Sequence, residues 1–427
     1  MALIAAISAV SCGRGSSPPP EGIELVFKHA RILGPADPIA RLLAEFEARH
    51  PAVKVRAEAL PWSSDEQRQF FVINLEGGRP GFDVMMLDVI WVPEFARAGW
   101  LLDLTSRIGP DELAPHFPSA ARAAVFEDRT WALPWLMNVG LLYYRRDLLD
   151  RYGFRPPATY DELVAQIERV RAGEGPERLL HGFLWQGKQY EGLVVNVLEG
   201  LWAAGTELLG PGGAILPDPE RAAEVLGFLR MLLRTGLSPA WVAAADEELS
   251  RRPFGQGQAL FLRNWPYAMD LFQQPDSPVR GKVGIAPLPG HRGGRPGAGS
   301  TGGAHLAVHR ATRHPEAAVA LVRYLAGEQA QRAMALGASL NPTRMALYDD
   351  PDIVRAHPWM PEVRDLMLAG RPRPVTPYYL MMSTLLQPEL SAALVGVKSP
   401  ARVVAEARRS LGFMLGEVAA GAGGSRR

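Results

Sequence analysis

Asp83-Val-Met-Met-Leu-Asp88 is a short apolar run that ends in a carboxylate, a pattern typical of a buried strand. Two further strand patterns precede it, at Ile23–Phe27 and Val53–Ala59. Apolar residues at helical spacing lie between these strands, at Pro38–His50 and Glu66–Glu76. Strands that alternate with helices in this order predict a mostly parallel sheet with helices on its faces.

The length of the chain predicts two lobes, since 427 residues exceed what one hydrophobic core usually supports. Strand patterns at Trp131–Trp135 and Gly140–Tyr144 indicate that the chain leaves the first lobe there, and Lys282–Pro289 predicts the strand that returns it. We predict an α/β fold in which each lobe is a mostly parallel sheet flanked by helices, with a multi-strand hinge between them. The predicted lobes comprise residues 23–130 with 290–338 and residues 131–289 with 339–420. Lobes joined in this way can close on a ligand in the cleft between them.

The composition argues against a nucleic-acid or anionic-membrane partner. The chain has 46 basic and 45 acidic side chains and a formal net charge of +1, so it presents no global field of one sign. Hydrophobic residues make up 47%, and no run after the N-terminus approaches the roughly 18 apolar residues that a membrane span needs. We therefore expect local contacts to select the ligand.

The single cysteine, Cys12, lies at the end of an apolar N-terminal run. This pattern predicts a secretory signal in residues 1–22, with Cys12 as the site of lipid attachment and a Gly-, Ser- and Pro-rich tether at Gly13–Pro20. The alternative is a free thiol without a lipid. The mature protein is then expected outside the cytoplasm, at the membrane only through its lipid.

Catalytic motifs are absent from the sequence pattern. Glycoside hydrolysis needs two carboxylates at a defined separation, and spacing alone nominates no pair. No Gly-x-Ser-x-Gly motif is present, and the pair His305 and His309 has neither the adjacent Glu nor the third ligand of a zinc site. Gly297–Gly302 fits the string of a dinucleotide-binding motif, but no strand precedes it. We interpret it as a turn or as backbone that approaches a ligand closely, and we expect no metal and no cofactor.

Ten tryptophans are a more informative signal. Sugar rings have an apolar face and a rim of hydroxyls, so their sites combine aromatic rings with planar hydrogen-bonding groups. Most of the tryptophans are expected in the core. Trp265 is the exception, because Asn264 and Pro266 flank it as in a loop beside a cleft.

Several motifs, taken together and in this order, resemble the trehalose/maltose-binding branch of the extracellular solute-binding proteins. They are Pro134–Leu148, His181–Gly192, Phe254–Phe261, Arg263–Tyr267 and Arg371–Tyr379. The resemblance covers residue 23 to the C-terminal helices. It implies a periplasmic-binding-protein fold similar to maltose-binding protein, closure around a sugar, and delivery to the permease subunits of an ABC importer.

The same resemblance implies a set of sugar-binding residues. Those implied for the first lobe and the hinge are Arg68, Asp88, Asn138, Gly302 and Gly303, with Asp37 in a loop that aligns less clearly. Those implied for the second lobe and the Pro-rich loop are Tyr190, Glu191, Trp265, Tyr267 and Arg373. Ala304 stands where many relatives have tryptophan, so the sugar need be neither trehalose nor maltose. Arg68 and Arg373 leave an anionic glycoside open.

The predicted function is that of the binding protein of an ABC sugar importer, which is not an enzyme. Its predicted ligand is a disaccharide or a small glycoside, including a glycosyl-polyol or glycosyl acid, and we expect the protein to be a monomer. The alternative from a different class is an exported glycoside hydrolase, which would need a pair of carboxyl groups facing each other across the cleft.

Overall fold

The computed structural model describes residues 22–31, 38–61, 63–78, 81–175, 180–291, 296–338 and 340–424. Asp37 and Cys12, predicted to bind sugar and lipid, lie outside these residues. The strands of the described part are β1 (Ile23–Ala30), β2 (Val53–Leu60), β3 (Val84–Asp88), β4 (Val125–Phe126), β5 (Arg129–Thr130), β6 (Leu133–Val139), β7 (Leu141–Arg145), β8 (His181–Leu184), β9 (Ala259–Asn264), β10 (Val283–Ala286), β11 (Ser300–Val308) and β12 (Arg371–Pro372).

Helices surround these strands, and the two predicted at Pro38–His50 and Glu66–Glu76 are present as α1 and α2. They are α1 (Pro38–Arg49), α2 (Ser64–Glu76), α3 (Val92–Arg97), α4 (Pro110–Leu113), α5 (Pro118–Ala123), α6 (Arg146–Arg151), α7 (Tyr160–Glu174), α8 (Glu191–Ala203), α9 (Pro219–Arg234), α10 (Glu247–Gly255), α11 (Ala268–Phe272), α12 (Pro315–Ala326), α13 (Glu328–Ala338), α14 (Pro351–Ala356), α15 (Met360–Ala369), α16 (Tyr379–Leu394) and α17 (Pro400–Gly424). No helix within the described ranges combines the length and the apolar character that crossing a membrane requires.

The first sheet has the strand order β12-β11-β3-β1-β2, and β6 also pairs with β11. β1 is parallel to both β2 and β3, whereas β11 runs antiparallel to β3 and β6. Phe27 and Val84 on this sheet pack in one core with Ile39 and Phe46 of α1. The alternation of strand and helix therefore gives the parallel centre that the sequence predicts, while β11 and the short β12 run antiparallel to it.

The second sheet has the strand order β10-β7-β9-β8. β8 and β9 are parallel, while β7 is antiparallel to both β9 and β10. Helix α7 packs against β8, and Thr159 caps it by accepting a hydrogen bond from the Glu162 N–H at 3.2 Å, as its sequence predicts. Helices α8, α9, α16 and α17 pack against one another beside this sheet.

The chain crosses between the two sheets three times, at residues 139–141, 286–300 and 372–379. The first two crossings touch, because the Gly140 N–H donates to the Ser300 carbonyl at 3.0 Å. A side chain at Gly299 would collide with the Gly140 backbone, so this contact requires glycine. The Gly297–Gly302 motif thus includes a close contact between two hinge segments.

Two segments that the sequence assigned to the second lobe pair with the first sheet instead. β6 lies in that sheet, and residues 341–348 follow it, with the Met137 N–H donating to the Asn341 carbonyl at 3.0 Å and Tyr348 packed edge-on against Phe117. Periodicity predicts a strand or a helix but does not choose its neighbours, which explains the error at residues 131 and 339.

Candidate functional site

One wall of the cleft lies at the carboxyl edge of the first sheet. β3 ends at Asp88, whose carboxylate accepts a hydrogen bond from the Ile90 N–H at 3.2 Å. Helix α2 begins beside it, and the Ser64 hydroxyl donates to Asp88 at 3.5 Å. The carboxyl ends of parallel strands meet at one edge, which brings strand ends and helix starts together around a ligand.

The opposite wall carries an aromatic platform that follows β9. The Tyr143 hydroxyl donates to the Trp265 carbonyl at 2.7 Å, and the Asn264 side chain accepts the Trp265 N–H at 2.8 Å. The indole Nε1–H donates to Glu247 at 3.3 Å, and the Tyr267 hydroxyl donates to Glu248 at 3.0 Å. Both rings are thereby fixed in position before any ligand arrives.

The floor of the cleft is formed where β6 meets β11. Asn138 and Gly302 are partners in this pairing, as are Met137 and Gly303. A Cβ at Gly302 would make ordinary van der Waals contacts, 3.5 Å from Arg373 and 3.9 Å from Trp265, so Gly302 lies beside both of these cleft residues. Gly303 has φ 129° and would collide with the β6 backbone, so it is required for the fold.

Arg373 connects the two walls from the third crossing. Its guanidinium donates to Asp88 at 2.8 Å and to Glu191 at 3.0 Å, and only 4% of the side chain is exposed. Glu191, the first residue of α8, also accepts a hydrogen bond from the Tyr379 hydroxyl at 2.8 Å and one from Ser383. Asp88 belongs to the first sheet and Glu191 to a helix of the second lobe, so this arginine bridges the lobes.

Burial and charge shift the pKa values of this cluster. Burial raises the pKa of Glu191 above its ordinary value, and the hydrogen bonds and charge of Arg373 only partly offset this. Burial would lower the pKa of Arg373, but the carboxylates of Asp88 and Glu191 outweigh it and raise that pKa. Burial and the negative charge of Asp88 raise the pKa of Asp65, whose carboxylate accepts the Glu191 N–H. Asp65 is thus a second contact between the lobes.

Together these elements enclose about 1180 Å³ of space, counted out to the open mouth. Its polar and aromatic lining residues are Ser63, Ser64, Gln67, Asp88, Trp91, Asn138, Lys188, Tyr190, Glu191, Asp246, Glu247, Trp265, Tyr267 and Arg373. Gly302 and Gly303 line the floor. A cleft that combines an aromatic platform with several carboxylate and amide groups is suited to binding a polyhydroxylated ring.

A sequence profile of bacterial extracellular solute-binding proteins matches residues 34–332. The chain belongs to this family. A relative from Deinococcus radiodurans, described as "Probable ABC transporter-binding protein", is 35% identical over 336 residues, which cover 78% of this chain and 79% of that protein. The multiple sugar-binding protein of Streptococcus mutans is 21% identical over 297 residues. Both relatives are described as binding proteins.

Solved structures show that the fold is the two-lobed one of maltose-binding proteins. The maltose-bound MalE3 of T. maritima superimposes with a TM-score of 0.85 and is 35% identical, with 92% of this chain and 100% of that chain covered. A mannitol-bound solute-binding protein of Agrobacterium vitis gives a TM-score of 0.76 at 18% identity and covers 93% and 99%. The expected α/β fold is confirmed.

The cleft of this solute-binding protein brings together nine of the sequence-predicted residues. They are Asp88, Asn138, Tyr190, Glu191, Trp265, Tyr267, Gly302, Gly303 and Arg373. Arg68 is not among the lining residues, because its guanidinium is held by Glu94, with Nε and Oε2 at 3.1 Å. Its neighbours on α2, Ser64 and Gln67, line the cleft instead. Whether these residues bind a ligand stays a prediction.

Three charged residues that line the cleft of the solute-binding protein were not predicted from the sequence. Lys188 lies within a motif that carried the family resemblance, while Asp246 and Glu247 begin α10, where Asp246 caps the helix by accepting the Leu249 N–H at 3.0 Å. In the sequence, Asp246 and Glu247 indicate only the start of a helix. The position of α10 beside Trp265, a long-range contact, brings them to the cleft.

Among the nine tryptophans that the structure describes, only Trp91, Trp135 and Trp185 are buried and the rest are partly exposed, so fewer of them are core residues than the sequence predicts. Trp135 and Trp185 are 0% exposed. Trp91 is buried against Phe71 and Phe95, although one side of it reaches the cleft. Within the described residues, no group of three or more His, Cys, Asp or Glu side chains is placed to hold a metal ion.

Proposed function

We propose that this protein is the substrate-binding component of an ABC importer, that it binds a disaccharide or small glycoside by closure of its two lobes, and that it delivers this ligand to the permease. The membership of the family and the similarity to a maltose-bound protein at 35% identity support the sugar class. The proposed ligand-binding residues are the nine lining residues predicted from the sequence.

One observation carries the proposal. The Trp265 and Tyr267 rings of one lobe lie across a single cleft from Asp88 of the other, with Asn138 on the floor between them. A ring stacked on the aromatic platform would present its hydroxyl rim to the carboxylate and the amide. The contacts to Asp88 and the contacts to the aromatic platform come from different lobes, so the complete site exists only when the lobes are together.

The interlobe contacts support binding by closure. Arg373 contacts Asp88 and Glu191 together, and Asp65 accepts the Glu191 N–H. These contacts can persist only in a closed arrangement. A ligand that touches both walls binds the closed state better than the open state and shifts the population towards it.

Titration calorimetry with maltose and trehalose tests the proposal. We expect at least one of them to bind and to raise the melting temperature, because a ligand that binds only the folded state stabilises it. Asp88→Asn should weaken that binding by at least about tenfold, since it removes the charge that Arg373 and the ligand share. The matched control is Asp276→Asn, which changes an exposed turn. Unchanged affinity in Asp88→Asn would remove Asp88 from the site.

Product analysis separates this function from that of a hydrolase. We expect both disaccharides to be recovered intact after prolonged incubation with the protein. Release of monosaccharide that tracks the purified protein would contradict the proposal and favour the hydrolase.

We further propose that the protein acts outside the cytoplasm as a monomer tethered through a lipid on Cys12. Its family is extracellular, and the sequence of residues 1–22 supports the tether. In cells that express the full chain, Cys12→Ser should shift the protein from the membrane fraction to the soluble fraction. Equal membrane association of both forms would contradict the lipid anchor.

A further inference from the structure

The basic side chains that line the cleft are already paired with carboxylates. This inference rests on the proposed function and concerns which saccharides the same cleft accepts. Lys188 and Arg373 are the lining cations in the described part of the chain. Arg373 is held between Asp88 and Glu191, and Lys188 Nζ lies 3.6 Å from Asp246 Oδ2. Arg373 is therefore not available to an anionic ligand unless an existing pair is broken, whereas the charge of the half-exposed Lys188 is offset by Asp246.

Two further arginines near the cleft are also engaged. Arg68, which the sequence offered as a partner for an anion, is held by Glu94. Arg263 lies over the Trp265 ring, 4.1 Å from its centroid, and donates two hydrogen bonds to Glu199 at 2.9 and 2.6 Å. Its side chain is 2% exposed, so it acts behind the platform and does not reach the ligand space.

The lining carboxylates outnumber the cations. Four acidic side chains face two basic ones, which leaves a formal excess of two negative charges around the ligand. Glu247 accounts for part of this excess, because it forms no ion pair among the residues that the structure describes and accepts a hydrogen bond from the neutral Trp265 indole. Burial and the negative charge of Glu247 raise the pKa of Tyr190, another residue that lines the cleft.

This charge balance acts on any ionised ligand. Within a closed cleft, charges are screened much less than on an open surface, so like charges repel and opposite charges attract over the width of a sugar ring. Hydroxyl groups carry no charge and can donate to the same carboxylates. A neutral saccharide is thus accommodated, whereas an acidic one meets an uncompensated negative field.

We propose that the cleft selects by charge: it binds neutral and amine-bearing saccharides, excludes saccharides that carry a carboxylate, and uses Glu247 on the platform wall to set this preference. Such a selection excludes an anionic glycoside, which the sequence alone allowed as a ligand.

The test uses maltose and trehalose, each with a nearly isosteric pair of derivatives in which a primary CH₂OH becomes a carboxylate or an aminomethyl group. In maltose the two primary positions are modified in separate derivatives, and in trehalose, where they are equivalent, one derivative of each kind is sufficient. Affinities are measured by calorimetry at pH 7 and low ionic strength. We expect the acid to bind at least about tenfold more weakly than the parent sugar, and the amine to bind at least as tightly.

Glu247→Gln keeps a side-chain oxygen for the indole N–H and removes the charge. We expect it to reduce the ratio of amine to acid affinity by at least threefold, a comparison made within one variant and independent of its overall affinity. The control is Glu168→Gln, which makes the same charge change on the exposed face of α7 and should leave the ratio unchanged.

Three results would count against these statements in different ways. Acid and parent sugar binding within threefold of each other would overturn the selection by charge and leave the sugar-binding function standing. An unchanged ratio in Glu247→Gln would overturn the role of Glu247. Failure of both parent sugars and of every derivative to bind would contradict the proposed disaccharide ligand, and the selection would fall with it.

Discussion

Two buried arginines of this protein hold carboxylates in different settings. Arg263 on β9 binds Glu199 on α8, and both belong to the second lobe. Arg373 binds Asp88 of the first sheet and Glu191 of α8, so its partners belong to different lobes. The chemistry is the same, with side chains 2% and 4% exposed. The first cluster reaches only as far as the hinge, where Glu199 accepts the Ser300 N–H at 2.9 Å, whereas the carboxylates of the second cluster lie in different lobes.

The difference separates a buried ion pair that stabilises the fold from one that affects how the lobes close. Burying an ion pair removes both ions from water, and the mutual attraction offsets this only when the geometry is held. Within one lobe the geometry is always held. Between lobes it is held only on closure, so the free energy of the Arg373 cluster contributes to the equilibrium between open and closed forms.

Glu199→Gln should have the largest effect on stability. It leaves the Arg263 guanidinium buried without a negative partner, for which we expect a loss of about 3–5 kcal/mol in the free energy of unfolding. Urea denaturation measures it, with Glu168→Gln as the control for the loss of an exposed carboxylate. A loss below about 1 kcal/mol would show that the Arg263 charge is compensated in another way.

Arg373→Met should have a smaller effect on unfolding and a larger one on ligand binding. The lobes can open and let water reach Asp88, so we expect a loss of about 1–2 kcal/mol in stability. Affinity for the bound disaccharide should fall at least about tenfold, because closure then brings two unpaired carboxylates together. The stability loss should shrink as pH falls, since burial raises the pKa of Glu191 and the protonated side chain needs no cation. Equal losses of unfolding free energy for Arg373→Met and Glu199→Gln would contradict the distinction between the two clusters.

Local patterns were sufficient to predict the elements that carry the site. The apolar run before Asp88 predicted β3, and the turn residues around Trp265 predicted a ring beside a cleft. Each of these depends on residues close together in the chain. The set of cleft residues came from family resemblance, because no local rule states which distant loops meet.

Long-range contacts account for what the sequence did not predict. From the sequence alone Arg68 is a plausible sugar-binding residue. In the structure Glu94 of α3 holds its guanidinium. The sequence around Glu247 indicates only the first turn of a helix. The packing of α10 beside β9 brings its side chain to the cleft. The same holds for β6, whose apolar pattern fits either sheet and whose place is fixed by pairing with β11.

Asp65→Asn should give the smallest effect and the opposite sign. Asp65 lies in the first turn of α2, where the helix dipole favours a negative charge, yet burial and the charge of Asp88 raise its pKa. A carboxyl group whose pKa is higher in the folded state binds protons more readily when folded, so its contribution to stability is unfavourable at neutral pH and is relieved as pH falls.

The asparagine keeps an oxygen for the Glu191 N–H and removes the charge. Because Asp65 is only partly buried, we expect a gain of less than about 1 kcal/mol in unfolding free energy at pH 7. The gain should diminish as pH falls through the raised pKa of Asp65, where the wild-type carboxyl becomes neutral as well. Denaturation of both proteins from pH 7 to pH 4 measures this difference, and a destabilised variant at pH 7 would show that the charge of Asp65 supports the closed cleft through Arg68 and Lys188 more than it opposes Asp88.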